Sequence, residues 1–162
     1  MIDSEDRYWL QCAIALAEEA LEAGDEPFGS VLVSEKGEML KKARNRVGGG
    51  DATQHPELAL ARWAADNLTP SARAKSVVYT SGEHCPMCAA AHALAGLGRI
   101  VYASSSRQLQ SWLGEKSVST PVKGLSINEV APALEVDGPA EGLDQKVKAL
   151  HERHAGRVTG TR

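Results

Sequence analysis

A strand, a helix and a second strand follow one another in the middle of the chain. Ser76–Thr80 is a short strand-like run, the alanine-rich segment Cys85–Leu97 reads as a helix that Gly98 closes, and Arg99–Ala103 is strand-like again. Strands joined through a helix pair in parallel, with a right-handed crossover. This unit therefore predicts an α/β domain in which helices cover a sheet.

The flanking segments extend this architecture. Asp3 or Ser4 can cap a first helix that runs to about Ala23, and Phe28–Val33 and Met39–Val47 read as a hairpin. We expect Gly48–Gly50 to be flexible. Further predictions are helices over His55–Ala65, Arg107–Leu113 and about Gly142 to His154, a loop or short helix near Asn128, and a strand near Leu134–Val136. Residues 1–162 suit a single domain with a flexible tail from about residue 155.

Composition and charge exclude several classes of protein. The chain is 43% apolar and 24% charged, as globular proteins are, and no apolar run approaches the roughly 20 residues that cross a bilayer. The acidic start MIDSEDRYWL is unlike a secretory signal, so we expect a cytoplasmic protein. The net charge is −3, and Met1 to Glu26 holds eight acidic residues and one basic residue. This charge gives no basis for tight nucleic-acid binding.

Two of the three cysteines form the motif Cys85-Pro86-Met87-Cys88 at a predicted helix start. Side chains three apart in the first turn can present both sulfurs to one point, and the helix N-terminus favours the thiolate forms. Without a secretory signal, such a pair indicates a metal site or a redox-active thiol rather than a structural disulfide. The motif alone leaves both zinc binding and thiol redox chemistry open.

His55-Pro56-Glu57 begins a second predicted helix. The residue before a proline avoids helical backbone angles, so His55 becomes the N-cap and Glu57 lies in the first turn. By itself this pattern more often indicates a solvated histidine cap with a carboxylate that complements the helix dipole than a metal site. Together with the cysteine pair it offers one imidazole and two thiolates, which is the three-ligand set of a catalytic zinc that keeps its fourth position for water.

The chain resembles the cytidine-deaminase-like zinc hydrolases from about Glu26 to Ala103, most closely the branch of guanine deaminases and tRNA adenosine deaminases. The motifs that carry the resemblance are Pro27–Val31, Asn45, Asp51–Glu57, Tyr79–Cys88 and Gly98–Tyr102. It implies a three-layer α/β/α fold with a mixed five-stranded sheet. It also implies one Zn²⁺ per chain with a bound water or hydroxide, ligated by His55, Cys85 and Cys88. Glu57 is then the general acid and base.

The resemblance further implies substrate contacts at Asn45, which would hydrogen-bond the base, and at Phe28, which would line or stack in the pocket. From the residues alone, Asn45 could equally end a strand and Phe28 could fill the core. Trp112 lies where relatives close the pocket, and we expect it to be a lid residue.

Two positions depart from the family pattern. Pro56 replaces a residue whose backbone N–H usually donates to the bound base, and proline has no N–H to donate. His84 stands where proline usually precedes the first cysteine. We expect His84 to be either an exposed polar residue or a contact to the metal ligands or substrate. Both departures bear on which base is accepted.

The remaining candidates are expected to be structural. We predict that His92 is packed and hydrogen-bonded, and that His151 and His154 lie on a solvated face of the last helix. Cys12 on the first helix is expected to behave as a small buried hydrophobic residue.

These features support several functional hypotheses. The first is a hydrolytic deaminase of a free base or base-like amino-heterocycle, such as a guanine-type purine, isoguanine, a cytosine analogue or an aminotriazine, that forms a homodimer through the alanine-rich helix. The second is a tRNA adenosine deaminase with a basic patch of Arg99, Arg107, Lys116 and Lys123. The third is a non-catalytic subunit with structural zinc, and the fourth a thiol oxidoreductase.

Overall fold

The computed structural model describes residues 1–114 and 120–159. Helices and strands are interspersed along these residues. The helices are α1 (Ser4–Glu22), α2 (Pro56–Asn67), α3 (Pro70–Ala74), α4 (Pro86–Leu94), α5 (Ser106–Leu113), α6 (Ile127–Val130) and α7 (Leu143–Thr159). The strands are β1 (Gly29–Val33), β2 (Met39–Arg44), β3 (Val77–Gly82), β4 (Ile100–Ser104) and β5 (Val136–Asp137). None of the described helices is long and apolar enough to span a bilayer.

The strands form one mixed sheet in the order β2-β1-β3-β4-β5. Strand β1 pairs antiparallel with β2 and β3, while β3, β4 and β5 run parallel. The hairpin and the parallel strand–helix–strand unit are therefore confirmed, as is the mixed five-stranded sheet.

Side-chain alternation along the strands divides the core between the two faces of the sheet. Val31 and Val101 pack in the core with side chains of α1 and α7. Leu32 packs with side chains of α2, and Ile100 with those of α4 and α6. Because successive strand residues point to opposite faces, helices cover both faces in a three-layer α/β/α arrangement, as expected.

Several helix starts carry the sequence signals of an N-terminus. Asp3 caps α1 in a reciprocal capping box with Asp6. Helices α2, α3 and α4 all begin with a proline at their first position. Helix α3 was not predicted, although Thr69 caps it and Pro70 follows directly.

Some element bounds differ from the predictions for local reasons. Strand β2 ends at Arg44, and Val47–Gly49 forms a 3₁₀ turn instead of the predicted strand end. The glycine segment is fixed there, because the Gly48 N–H donates to the buried Asp25 carboxylate over 2.8 Å. Helix α7 continues to Thr159, beyond the predicted end at His154.

An ion-pair cluster joins α1 to the parallel strands. Arg99, just before β4, donates to both Asp6 oxygens over 2.8 and 3.0 Å and to Asp137 over 2.8 Å, and the Tyr79 hydroxyl also donates to Asp6. Burial by itself raises the pKa of Asp6, but the hydrogen bonds from Arg99 hold it below its ordinary value. The cluster thus fixes α1 across the sheet.

Replacing Asp6 with asparagine is expected to lower the free energy of unfolding by about 2–4 kcal/mol, because the largely buried Arg99 guanidinium loses one of its two close charged partners. Urea denaturation followed by circular dichroism measures the change. Glu5→Gln removes the same charge from the exposed neighbouring position and should cost at most about 1 kcal/mol. An equal loss in both variants would contradict the assignment.

Candidate active site

Two helix starts meet on the α2–α4 face of the sheet. His55 is the N-cap of α2, with φ −88° and ψ 142°, and Cys85 is the N-cap of α4, with φ −68° and ψ 167°. Both residues are extended because each precedes a proline. Neither side chain caps its own helix, so both are available to point into the space between the two helices.

The three predicted metal ligands come together at this point. His55 Nδ1 lies 3.5 Å from Cys85 Sγ and 3.6 Å from Cys88 Sγ, and the three ligand atoms lie within 4.8 Å of one another. Tetrahedral zinc with ordinary Zn–N and Zn–S bond lengths separates a nitrogen and a sulfur ligand by about 3.6 Å. The spacing of the side chains therefore fits zinc, with Nδ1 as the histidine ligand.

The protonation chemistry of the two thiols also fits a cation. A hydrogen bond from the Cys88 thiol, with a further contribution from His55, lowers the pKa of Cys85 to about 4. The hydrogen bond with Cys85, together with burial, raises the pKa of Cys88. The pair thus holds one proton between two sulfurs, in the place where a divalent cation binds thiolates by displacing that proton.

Glu57 lies in the first turn of α2 and is buried, with 5% of its surface exposed. The hydroxyl oxygens of Thr80 and Ser30 lie 3.0 and 3.3 Å from its Oε1, within hydrogen-bond distance. Burial raises the pKa of Glu57 above its ordinary value, against the opposing effects of His55 and the Thr80 hydrogen bond. A carboxyl group with a raised pKa is suited to both accept and donate a proton near neutral pH.

Ser30 and Thr80 were not predicted from the sequence as site residues. They are polar residues at strand positions in phase with Leu32 and Val78, which face α2. A hydroxyl in an otherwise apolar face of a strand is the signal that could have identified them, because buried polar groups require partners.

Asn45 is buried and directly follows the end of β2. Its backbone N–H donates to Phe28 O and its Oδ1 accepts from the Val47 N–H, both over 3.0 Å. Among the described residues, no hydrogen bond occupies its side-chain N–H₂ group. The contact of Asn45 with a substrate stays a prediction, as does that of Phe28.

The prediction for His151 was wrong. Its side chain is 4% exposed, and the ring packs edge to face against Phe28, with centroids 4.9 Å apart. The helical face of α7 that was expected to be solvated lies against the domain instead, and burial lowers the pKa of His151 to about 4. The C-terminal helix therefore contacts a predicted substrate residue. His154 is half-buried.

The other predicted structural residues lie close to expectation. His92 is buried and hydrogen-bonded to Gly98 O over 2.7 Å, which confirms a packed histidine. Cys12 is partly buried and packs against the core of α1 and α7.

His84 and Trp112 both make contacts inside the domain. His84 is buried edge to face against His92, with centroids 5.4 Å apart, and neither of its ring nitrogens has a partner among the described residues. It is therefore not an exposed loop residue. Trp112 on α5 is half-buried and packs against the core of α1 and α7. Substrate contacts for both stay predictions.

A cavity of 530 Å³ lies beyond the end of β4, between α5 and α6. Glu83 lines it and also accepts hydrogen bonds from the backbone N–H groups of Ser106 and Ile127, which fixes the loop that leads into Cys85. None of the metal-ligand side chains lines this cavity.

Comparison with known proteins agrees with this geometry. Residues 3–104 match the cytidine and deoxycytidylate deaminase zinc-binding region. A probable cytosine deaminase of Schizosaccharomyces pombe is 32% identical over 144 residues, which cover 85% of this chain and 86% of that protein. A tRNA-specific adenosine deaminase of Buchnera aphidicola is 26% identical over 110 residues, covering 68% and 73% of the two chains.

A solved structure of guanine deaminase from Nitrosomonas europaea superposes with a TM-score of 0.73 over 96% of this chain and 86% of that one. At 20% identity, this likeness shows the shared fold. The ligand geometry, the buried glutamate and the family match converge: the chain belongs to the cytidine and deoxycytidylate deaminase family and is a hydrolase of C–N bonds.

Proposed function

We propose that the protein hydrolyses the exocyclic amine of a free nucleobase or base-like amino-heterocycle and releases ammonia. The candidates are a guanine-type purine, isoguanine, a cytosine analogue and an aminotriazine. The observation that carries this proposal is the buried Glu57 carboxyl group beside three side chains with the spacing of zinc ligands. A purely structural zinc site has no use for such a carboxyl group.

The residues of the site can carry the reaction as follows. Zinc held by His55, Cys85 and Cys88 would lower the pKa of a water molecule and so supply the attacking oxygen. Glu57 accepts one proton of that water and delivers it to the ring nitrogen beside the amine-bearing carbon. It then moves the second proton to the departing amine, so that one water is consumed and one ammonia is released.

Charge supports a small substrate over a nucleic acid. Arg99, expected in a basic patch, is neutralised by Asp6 and Asp137. Arg107 and Lys123 line the cavity beyond β4 together with Glu83 and Glu129, so its lining holds two charges of each sign. Lys116 lies outside the described residues. Phosphate backbones are bound by an excess of positive charge, which these residues do not supply.

A tRNA substrate is the second candidate, because relatives such as the Buchnera aphidicola protein are tRNA-specific adenosine deaminases. Salt-sensitive binding to tRNA and inosine formation in its anticodon loop would favour this candidate over a free base.

The backbone at residue 56 bears on which base is accepted. Pro56 is buried at the first position of α2, between the metal ligand His55 and Glu57. A base that relies on an N–H donor from this position would lose a hydrogen bond in a buried site, at a cost of about 1–3 kcal/mol. This supports a heterocycle whose hydrogen-bonding groups differ from those of guanine.

We also propose a homodimer that uses the alanine-rich helix α4. Leu94 at its end is 89% exposed, beside the partly exposed Ala90 and Ala91. Sedimentation at micromolar concentration is expected to give a dimer, and Leu94→Glu should shift it toward monomer by placing a charge in the contact. Val122→Glu, at an exposed apolar residue elsewhere, should have no such effect. A monomeric wild-type protein would contradict the proposal.

Metal content and turnover separate the roles of the site residues. Cys88→Ser is expected to lose stoichiometric zinc and activity together, whereas Cys12→Ser should retain both. Glu57→Gln should retain one zinc per chain and lower ammonia release by about 10²- to 10⁴-fold, because only the proton carrier is removed. Mass spectrometry of the bound metal and an ammonia assay measure the two effects. Unchanged turnover in Glu57→Gln would overturn the mechanism.

A panel of about twenty amino-purines, amino-pyrimidines, triazines and their nucleosides identifies the substrate. Pro56→Ala is expected to change the ranking of the panel, since it restores an N–H donor. Bases with an acceptor facing residue 56 should gain about 5- to 10-fold in kcat/KM. Pro70→Ala makes the same change at the start of α3 and should leave the ranking unaltered. An unaltered ranking in Pro56→Ala would refute the role of the missing N–H.

A further inference from the structure

Two hydroxyl groups lie between the sheet and the Glu57 carboxyl group. Ser30 in β1 and Thr80 in β3 are direct partners in the antiparallel register, and both are fully buried. Their hydroxyl oxygens lie 2.8 Å apart. Their neighbours on the same face, Leu32 and Val78, are apolar.

The two hydroxyls cannot satisfy all of these contacts at once, because each has one proton to donate. Thr80 Oγ1 lies 3.0 Å from Glu57 Oε1 and 3.0 Å from Gly82 O. Ser30 Oγ lies 2.8 Å from Thr80 Oγ1 and 3.3 Å from Glu57 Oε1. The arrangement that serves the shorter of the two contacts with Glu57 has Ser30 donating to Thr80 and Thr80 donating to Oε1.

In both protonation states of Glu57, the hydroxyl protons of Ser30 and Thr80 each have an acceptor. When Glu57 is a carboxylate, Ser30 donates to Thr80 and Thr80 donates to Oε1. When the proton taken from water resides on Oε2, Oε1 still accepts from Thr80, and Ser30 still donates to Thr80. In each case a short hydrogen bond joins Oε1 to Thr80, and Ser30 completes the chain.

We propose that Thr80, supported by Ser30, is a positioning residue that holds Glu57 Oε1 throughout the reaction, so that Oε2 is the oxygen facing the water and the substrate. The proposal rests on the proposed function and assigns orientation, not proton transfer, to the hydroxyl pair. A carboxyl group that rotates freely would present either oxygen, and loss of a fixed geometry slows a chemical step more than it weakens binding.

The test compares Thr80→Val, which keeps the shape and removes the hydroxyl, with Thr80→Ser, which restores it. The assay uses the best substrate from a panel that includes free bases, nucleosides and a tRNA anticodon stem-loop. In Thr80→Val, kcat is expected to fall about 10- to 100-fold while KM changes less than about threefold and zinc stays at one per chain. In Thr80→Ser, kcat should recover to within about threefold of the wild type.

Ser76→Ala provides the matched control, because it removes a buried hydroxyl that donates only to backbone, to Arg73 O. It should leave kcat and KM unaltered. Wild-type kcat in Thr80→Val, or failure of Thr80→Ser to recover it, would overturn the proposal. If Thr80→Val does not fold, Ser30→Ala decides: a kcat lowered about 3- to 10-fold at constant KM supports the proposal, and a wild-type kcat overturns it.

These results are distinguishable from failure of the proposed function. Turnover of tRNA alone would refute the free-base substrate but leave the Thr80 comparison intact on that substrate. An inactive Glu57→Gln variant beside a fully active Thr80→Val variant would refute only the positioning role.

Discussion

Two proline residues at helix starts are the constraint on which the site depends. Because Pro56 and Pro86 each force the preceding residue into extended backbone, His55 and Cys85 become N-caps whose side chains are not used as helix caps. Parallel pairing of β3 with β4, and the packing of α2 against α4, then bring the two starts together. The proline at each helix start sets the backbone of the ligand residue before it, and the sheet sets the distance between the two helix starts.

Electrostatics explains why this arrangement favours a cation. Glu57, Cys85 and Cys88 are acidic groups within one buried region, and the proximity of Glu57 contributes to the raised pKa of Cys88. Ionising all three without a positive partner would be costly in such a place. A divalent ion would compensate the negative charge of the thiolates. The hydroxyl groups of Ser30 and Thr80 are hydrogen-bonding partners of the carboxyl group. In the proposed reaction, Glu57 is then a proton carrier next to a charged centre and not a ligand.

The sequence predicted those parts of the molecule whose causes are local. The hairpin, the parallel strand–helix–strand unit and the metal triad follow from periodicity, glycine and proline positions and short spacings. The burial of His151 could not be read from α7, because a histidine on an amphipathic helix looks the same whether its face meets water or Phe28. The Ser30–Thr80 pair likewise depends on a register between strands 50 residues apart in sequence. The fixed Gly48 backbone depends on Asp25, which no local pattern links to it.

The contact between His151 and Phe28 joins the C-terminal helix to a residue that we expect to line the substrate pocket. The family match ends at residue 104, whereas α7 begins at Leu143. One side of the Phe28 ring thus packs against a helix that holds neither the predicted metal ligands nor Glu57. Such a division lets the C-terminal helix vary in sequence, and reshape the space around Phe28, while the metal ligands and Glu57 stay unchanged. With Phe28 in its expected place in the pocket, a substitution on this helix changes which ring the site accepts without touching the zinc motif.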